Sequence, residues 1–502
     1  MDSVHEHNPS LWIATSAHDA LPPLDGDARA DVVVVGAGIT GLTSSWLLTD
    51  AGLDVLLLEA GEVCSGVTGY TTAKVTALQS TIYSKLAKTW NDEVASTYAA
   101  ANLAAVARMR KLVETLGIDC NWVGASAFTY SEGDEGVAEI EAEIEAATRA
   151  GLAATFTTDT DLPYRVAGAA RLDHQAQFHP RRYCLGLVDA IRGRGGRVVE
   201  HTRARYVDVD ERRVVTDRGV VQADAVVLAT HLPFPKAGGY FARAKPMRSY
   251  AVAIEPGPEA RLPEGMYISV DEPMRSIRSA ADRWIIVGGE GHKVGQDPDT
   301  TRRYQALESW SGERFAPARV GHRWSAQDYV SADHLPFIGR LSPGSERVYV
   351  GTGYGKWGMT NGTVAAIILA DLIQGRDNEW AATFDSTRFA LRQSAVGLVR
   401  ENIDVAKRFA GDRLATRNAP DVTELQPGQG DIAEIDGTRV AAFRDDDGHL
   451  HAVSPICTHF GCQVTFNPAE RSWDCPCHGS RFDIDGQVLQ GPAVEDLAAR
   501  GD

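Results

Sequence analysis

Nowhere in the 502 residues is there an apolar run near the ~20 residues that a bilayer span requires. The longest, such as 364–372, fall far short, and no transmembrane segment is expected. Positive charge is also in short supply. Fifty Lys and Arg stand against 67 Asp and Glu, a net charge of −17 spread along the chain. That balance argues against a nucleic-acid partner and serves solubility. The opening MDSVHEHNPS lacks the charged-then-apolar pattern of a secretory signal, so a cytoplasmic chain is expected. Cysteine is scarce too, with seven in all. Cys64, Cys120 and Cys184 are scattered and read as small buried side chains. Cys457, Cys462, Cys475 and Cys477 crowd into one short stretch, which in a cytosolic chain points to metal before disulfide. No internal repeat or low-complexity tract is present. What remains is ordinary globular material, 44% hydrophobic and 23% charged, long enough for about three domains.

The first strong pattern is DVVVVGAGITGLTSSWLLTDAGLDVLLLEAG, residues 31–61. A β-branched run at 32–35 reads as a buried parallel strand. Gly36-x-Gly38-x-x-Gly41 follows, then helical spacing over 42–51 that Gly52 stops, then a strand over 54–58 ending at Glu59. Strand, glycine turn, helix and terminal acid make a dinucleotide-binding unit. The glycines let the backbone approach a pyrophosphate, the helix N-terminus offers it free N–H groups, and Glu59 can bind a ribose. A second Gly353-x-Gly355-x-x-Gly358 has no following strand that ends in an acid. It also lacks Ser or Thr after Lys356, so it fits neither a second dinucleotide site nor a P-loop. Elsewhere, residues 85–165 are rich in Ala and Glu and read as helical. Residues 195–230 alternate as a meander, 245–292 are strand-rich, and 347–373 read as strand, glycine turn and helix. Residues 388–415 have the spacing of a long amphipathic helix, and 420–431 form a hinge into a domain of short strands.

Near the C-terminus, Cys457-x-His459 is followed after 15 residues by Cys475-x-x-His478. Zinc fingers usually pair cysteine with cysteine and histidine with histidine. Here each loop supplies one of each. This suits a Rieske [2Fe–2S] centre, with two Cys on one iron and two His on the other.

Over residues 10–385 the chain resembles the D-amino-acid oxidase and sarcosine oxidase superfamily. The resemblance lies in GEVCSGVTGYTTAKVTA after Glu59, in residues 179–204, in ADAVVLAT (223–230), in DHLPFIGR (333–340) and in VGTGYGKWGMTNG (350–362). It implies an α/β FAD-binding domain of Rossmann type over 28–90, 165–240 and 325–385. An interleaved α+β substrate domain would occupy 91–164 and 241–324, followed by a helical linker over 386–420. It implies FAD rather than NAD, held by Gly36, Gly38, Ile39, Thr40, Gly41, Glu59, Ala60, Gly66, Thr68, Val199, Ala229, Gly339, Gly353, Gly355, Gly358 and Met359. The helix after 353–358 would aim its N-terminus at the flavin ring and stabilise the anionic reduced form. Lys293, in GHKVG, and Lys356 match lysines near the flavin. Lys74, Arg248 and Arg278 are candidates to bind a substrate carboxylate. Tyr250, Tyr354 and Trp357 are candidates to line an amine pocket, and Cys64 is a candidate for covalent flavin attachment.

Residues 421–502 resemble a small all-β Rieske domain of the respiratory-complex type, on CTHFGC (457–462) and CPCHGS (475–480). The resemblance implies that Cys457 and Cys475 hold one iron and His459 and His478 the other. It also implies that Cys462 and Cys477 form a disulfide, two free thiols being the alternative. Ser480 matches a serine that bonds cluster sulfur. Phe482 stands where that type often has tyrosine, so the expected potential lies below the top of the ~−150 to +300 mV Rieske range. Residues 491–493 match the proline loop over the cluster.

The whole chain resembles FAD-dependent oxidoreductases with a fused Rieske domain. That implies oxidation of a C–N bond in a small amine or N-methyl amino acid, with electrons passing through the cluster to a one-electron acceptor protein. The alternatives are a donor protein that feeds the cluster while the flavin carries out a reduction or activates oxygen, and a cluster that is only a structural or redox-sensing docking module.

Overall fold

The computed structural model describes residues 8–315, 318–388 and 419–500. The expected helix over 388–415, apart from its first residue, and with it nearly all of the 386–420 linker, lies outside them.

Valines at 32–35 are at most 5% exposed, so the strand Ala28–Val35 is covered on both faces. It sits in the middle of an eight-stranded sheet, parallel to Val55–Leu58 on one side and Val220–Leu228 on the other. Val348–Thr352 continues the parallel order, Phe337–Arg340 closes that edge antiparallel, and Arg197–Val199 closes the other. Helices Ile39–Asp50 and Gly358–Ile373 pack against each other over this sheet, both almost wholly buried. Parallel strands buried on both faces by such helices need the continuous apolar runs seen in the sequence.

A nine-stranded sheet stands beside it, largely antiparallel, built from Ala318–Ser331, Ala244–Pro256, Trp284–Lys293, Arg275–Ala280, Met266–Ser269, Val123–Ser131, Gly168–Gln177, Thr155–Thr157 and Lys74–Val75. One expectation is corrected here. Residues 85–165 contain the helices Asp92–Leu116 and Val137–Arg149 but also the strands Val123–Ser131 and Thr155–Thr157. The alanine-rich flanks hide VGASAFTYS, whose C-terminal half is buried by pairing with Gly168–Gln177. Tertiary pairing, not local propensity, makes it a strand.

The C-terminal part holds two small antiparallel sheets, Gly430–Ile435 to Leu450–Val453 and Thr465–Asn467 to Val488–Gln490. They enclose a core of Phe443, Phe466, Trp473, Phe482 and the four clustered cysteines. Among the described residues no helix is long and apolar enough to cross a membrane.

Candidate active site and metal centre

The turn after Ala28–Val35 can be made only by glycine. Gly36 has φ +104°, and a Cβ on it would lie 2.6 Å from the Ala229 carbonyl oxygen. That carbonyl belongs to the neighbouring strand end, where the Ala229 N–H donates to Val35 O. Gly38 starts the helix Ile39–Asp50 without a side-chain cap of its own, and the Ile39 N–H is taken by Thr68 Oγ1 at 3.1 Å. Glu59, whose N–H donates to Val199 O, turns its carboxylate back to accept from Ala37 N at 2.7 Å and Gly61 N at 2.9 Å. Burial pushes this carboxyl above its usual range, against the pull of those amides.

The second helix converges on the same place. Thr40 Oγ1 meets Tyr354 OH at 2.9 Å, and Gly358–Ile373 also begins with no side-chain cap. Two long, buried helices therefore bring their N-termini together, neither capped by the side chain of its own N-cap residue, which favours anionic groups. At Gly66 and Gly355 an added Cβ would meet open space. Glycine cradle, paired N-termini and an inward acid fit a flavin dinucleotide. Met359 is buried in the first turn of the second helix, and Ala60 directly follows the acid. Gly339 lies apart, on the edge strand Phe337–Arg340, with its α-carbon turned toward Ser386.

The candidate catalytic residues separate into three groups. Lys356, with φ +74°, hangs its Nζ over Gly291 and has a lowered pKa from burial, opposed by Asp328 and Glu272. Lys74 and Arg278 are buried together beneath the 71–75 loop. Lys74 Nζ donates to Tyr267 O and Ser276 Oγ, while Arg278 donates to the carbonyls of Thr72, Ala73 and Phe178. Neither meets a carboxylate among the described residues. Burial drives Lys74 well below its usual range and Arg278 down to about 9. Arg248 and Lys293 face the C-terminal domain instead. Arg248 is fully buried, bonds Ser325 Oγ and Gln327 Oε1, and lies 3.7 Å from Asp474 of that domain. The charge of Lys293 is felt by His478.

In the C-terminal domain the two ligand loops face each other. His459 and His478 have ring centroids 5.1 Å apart, and both rings are held neutral by burial, at about 3 and about 4. His459 Nδ1 is buried with no hydrogen-bond partner. The Cys457 and Cys475 thiols are buried and unoxidised. Hydrogen bonding between them pulls Cys457 down to about 7 and pushes Cys475 well up. Two soft sulfurs, two neutral imidazoles and an orphaned ring nitrogen fit a Rieske cluster.

Cys462 and Cys477 are joined by a disulfide that ties the two loops across 15 residues. Breaking it with paired serines is expected to destabilise this domain by about 3 kcal/mol through loop entropy. Thermal bleaching of cluster absorbance should then occur at lower temperature than in the wild type.

The histidine-bearing loop is seated on the rest of the chain. Tyr329 OH donates to His478 O at 2.9 Å, and Gln327 Nε2 donates to Gly479 O at 2.8 Å. Phe241 stacks edge-on against both histidines, and Gln490 Nε2 bonds His231 Nδ1 at 2.8 Å. Sequence reasoning missed Tyr329, Gln327, His231 and Asp328. No local motif marks them, because their partners lie far away along the chain.

The family model for FAD dependent oxidoreductases matches residues 31–372, and the model for the Rieske [2Fe-2S] domain matches 418–499. The chain is 37% identical to the Bacillus subtilis (strain 168) protein YhfW, named for a Rieske 2Fe-2S iron–sulfur centre, over 97% of this chain and 96% of that one. It is 26% identical to gamma-glutamylputrescine oxidoreductase of Escherichia coli (strain K12), over 74% of this chain and 90% of that one. Glycine oxidase from Geobacillus kaustophilus shares the fold, with TM-score 0.61 at 18% identity, covering 72% of this chain and 99% of that one.

Proposed function

The chain belongs to the FAD dependent oxidoreductase family and ends in a Rieske [2Fe-2S] domain, and from that premise we propose that it oxidises a C–N bond of a small amine or N-methyl amino acid and passes the electrons through the cluster to an external one-electron acceptor protein. When bound, FAD supplies a two-electron acceptor for the C–N bond and the cluster a one-electron acceptor.

The observation that carries the substrate class is the pair Lys74 and Arg278. Two buried basic side chains without a carboxylate partner among the described residues, both shifted toward their neutral forms, keep their charge at low cost only if an anion joins them. Relatives named for amino-acid and glutamylputrescine substrates support the same reading. In it, Lys74 and Arg278 bind the substrate carboxylate at the junction of the 71–75 loop and the substrate-domain strands. The strand Lys74–Val75 abuts the first turn of Gly358–Ile373, where Thr360 Oγ1 donates to Thr76 O. Lys356, already easier to deprotonate than a free lysine, sits on the neighbouring loop and can take a proton from an ammonium group. Arg248 is engaged by Gln327 and Asp474, and in this reading it has no substrate role.

The test is anaerobic mixing of the holoprotein with N-methylated amino acids, plain amino acids and small amines, followed by flavin absorbance and frozen-solution EPR. Bleaching by carboxylate-bearing amines with a reduced-Rieske signal is expected. The Arg278→Met variant should lose at least tenfold in kcat/KM for those substrates, with less effect on amines without a carboxylate. Bleaching by none of them, with cluster reduction only through an added reductase, would overturn the reading and reverse the electron flow.

A further inference from the structure

The surface joining the C-terminal domain to the flavoprotein body is cut to fit at the cluster loop. A Cβ added to Gly295 would lie 2.9 Å from the backbone of Pro476, inside the CPCHGS loop. A Cβ added to Gly479, in the same loop, would lie 2.5 Å from Gln327 Nε2, 2.6 Å from Pro246 Cβ and 3.1 Å from Tyr329 OH. One glycine on each side thus admits the other, with no room for a methyl group. The polar contacts are equally specific. Gln327 is held by Arg248 through its Oε1, which fixes the amide so that Nε2 points at Gly479 O and at Tyr329 OH, 3.2 Å away. Tyr329 is 1% exposed.

The same strand grips the flavin side. The Tyr329 carbonyl accepts from Gly355 N at 3.1 Å. The Tyr329 ring meets His231 edge-on at 4.7 Å. His231 Nε2 pairs with Asp328 Oδ1 at 3.0 Å, and the other oxygen of Asp328 accepts from Lys356 N. Two short chains of contacts therefore run from the cluster domain to the 353–358 loop. One runs from His478 O through Tyr329 to Gly355. The other runs from Gln490 through His231 and Asp328 to Lys356.

We propose that the Rieske domain is a fixed module seated on its own flavoprotein, with Tyr329 as the positioning residue that joins the cluster loop to the flavin loop. This rests on the reading that a [2Fe–2S] cluster lies between the two Cys/His loops. Electron exchange between the centres then stays within one chain and needs no swing of the domain. When bound, the cluster would supply a one-electron acceptor and the flavin a donor able to give up its electrons singly, so the exchange would balance without any third partner. No bond forms or breaks at Tyr329. Its hydroxyl, by donating to the His478 carbonyl, offsets the negative end of that dipole beside the cluster and favours the reduced state.

The experiment uses the full-length holoprotein with two variants. Gly295→Ala inserts one methyl group against Pro476 and touches no ligand of either centre. Tyr329→Phe removes only the hydroxyl. Iron and FAD content, the EPR g-values and midpoint potential of the cluster, and its rate of reduction after flash photoreduction of the flavin with a sacrificial amine are measured. With both cofactors retained, Tyr329→Phe should lower the cluster potential and shift the electron toward the flavin by roughly three- to tenfold, tenfold being about 59 mV for one electron. Gly295→Ala should alter the g-values and slow cluster reduction at least tenfold. Should Gly295→Ala lose its cluster, Tyr329→Phe alone decides. Wild-type potential and g-values in Tyr329→Phe would overturn the proposal, as would wild-type reduction rates in a cluster-bearing Gly295→Ala. A wild type without two irons and a reduced-Rieske signal would remove the reading beneath the proposal, and the proposal with it.

Discussion

Replacing Asp474 with alanine is expected to destabilise the protein by about 3–5 kcal/mol, the usual effect of stripping one partner from a buried ion pair. Asp474 is 2% exposed and lies between two guanidinium groups, Arg481 at 3.0 Å within its own domain and Arg248 at 3.7 Å across the domain boundary. Asn467 and Ser472 also donate to it. Without the carboxylate, two buried arginines face each other's charge. Burial alone would raise the Asp474 carboxyl, yet the arginines and the two donors hold it below the usual range. A depressed folded pKa contributes stability above the unfolded value of ~3.9 and loses it as pH falls through the folded one. The gap between wild type and Asp474→Ala should therefore be full at neutral pH and narrow below about pH 4. Urea unfolding followed by tryptophan fluorescence and cluster absorbance at several pH values measures it. A gap under about 1 kcal/mol at pH 7 would mean that water reaches the pair.

The second large effect is on the flavin. In Gly41→Val the new Cβ would stand 1.9 Å from the Gly36 carbonyl oxygen, a backbone atom fixed by the Gly36 N–H bond to Leu58 O. The turn must open, and the N–H groups at the start of Ile39–Asp50 lose their aim. The FAD content after gel filtration should fall at least tenfold. The cluster, whose candidate ligands all lie within residues 457–478, should keep its EPR signal. Full flavin occupancy in this variant would place the pyrophosphate elsewhere.

Both ends of the chain were legible because their chemistry is local. Gly36 to Glu59 and Cys457 to His478 each span about two dozen residues, and within such a span spacing constrains geometry. The elements between resist reading for two reasons. Val123–Ser131 is a strand only because Gly168–Gln177 and Met266–Ser269 flank it. The junction residues Tyr329, Gln327 and His231 have polar partners about 150 to 260 residues away, with no spacing to betray them. Arg248 shows the same limit. As an arginine on a substrate-domain strand it invites a substrate carboxylate, and the carboxylate that lies beside it is Asp474. Lys74 and Arg278 look equally plain in sequence, and what sets them apart is that neither has a carboxylate partner among the described residues.

The seat between the domains combines hydroxyl, amide and guanidinium contacts with the packing of Phe241 against the two histidines. Interfaces between domains of one chain generally resemble the transient ones between separate proteins. Covalent continuity changes the arithmetic, since each domain sees the other at an effective concentration set by the chain that joins them. An interface that would be transient between two polypeptides can thus remain occupied almost all the time in one. The domains can be joined by contacts chosen for what they do to the cluster's surroundings, because affinity is no longer asked of them.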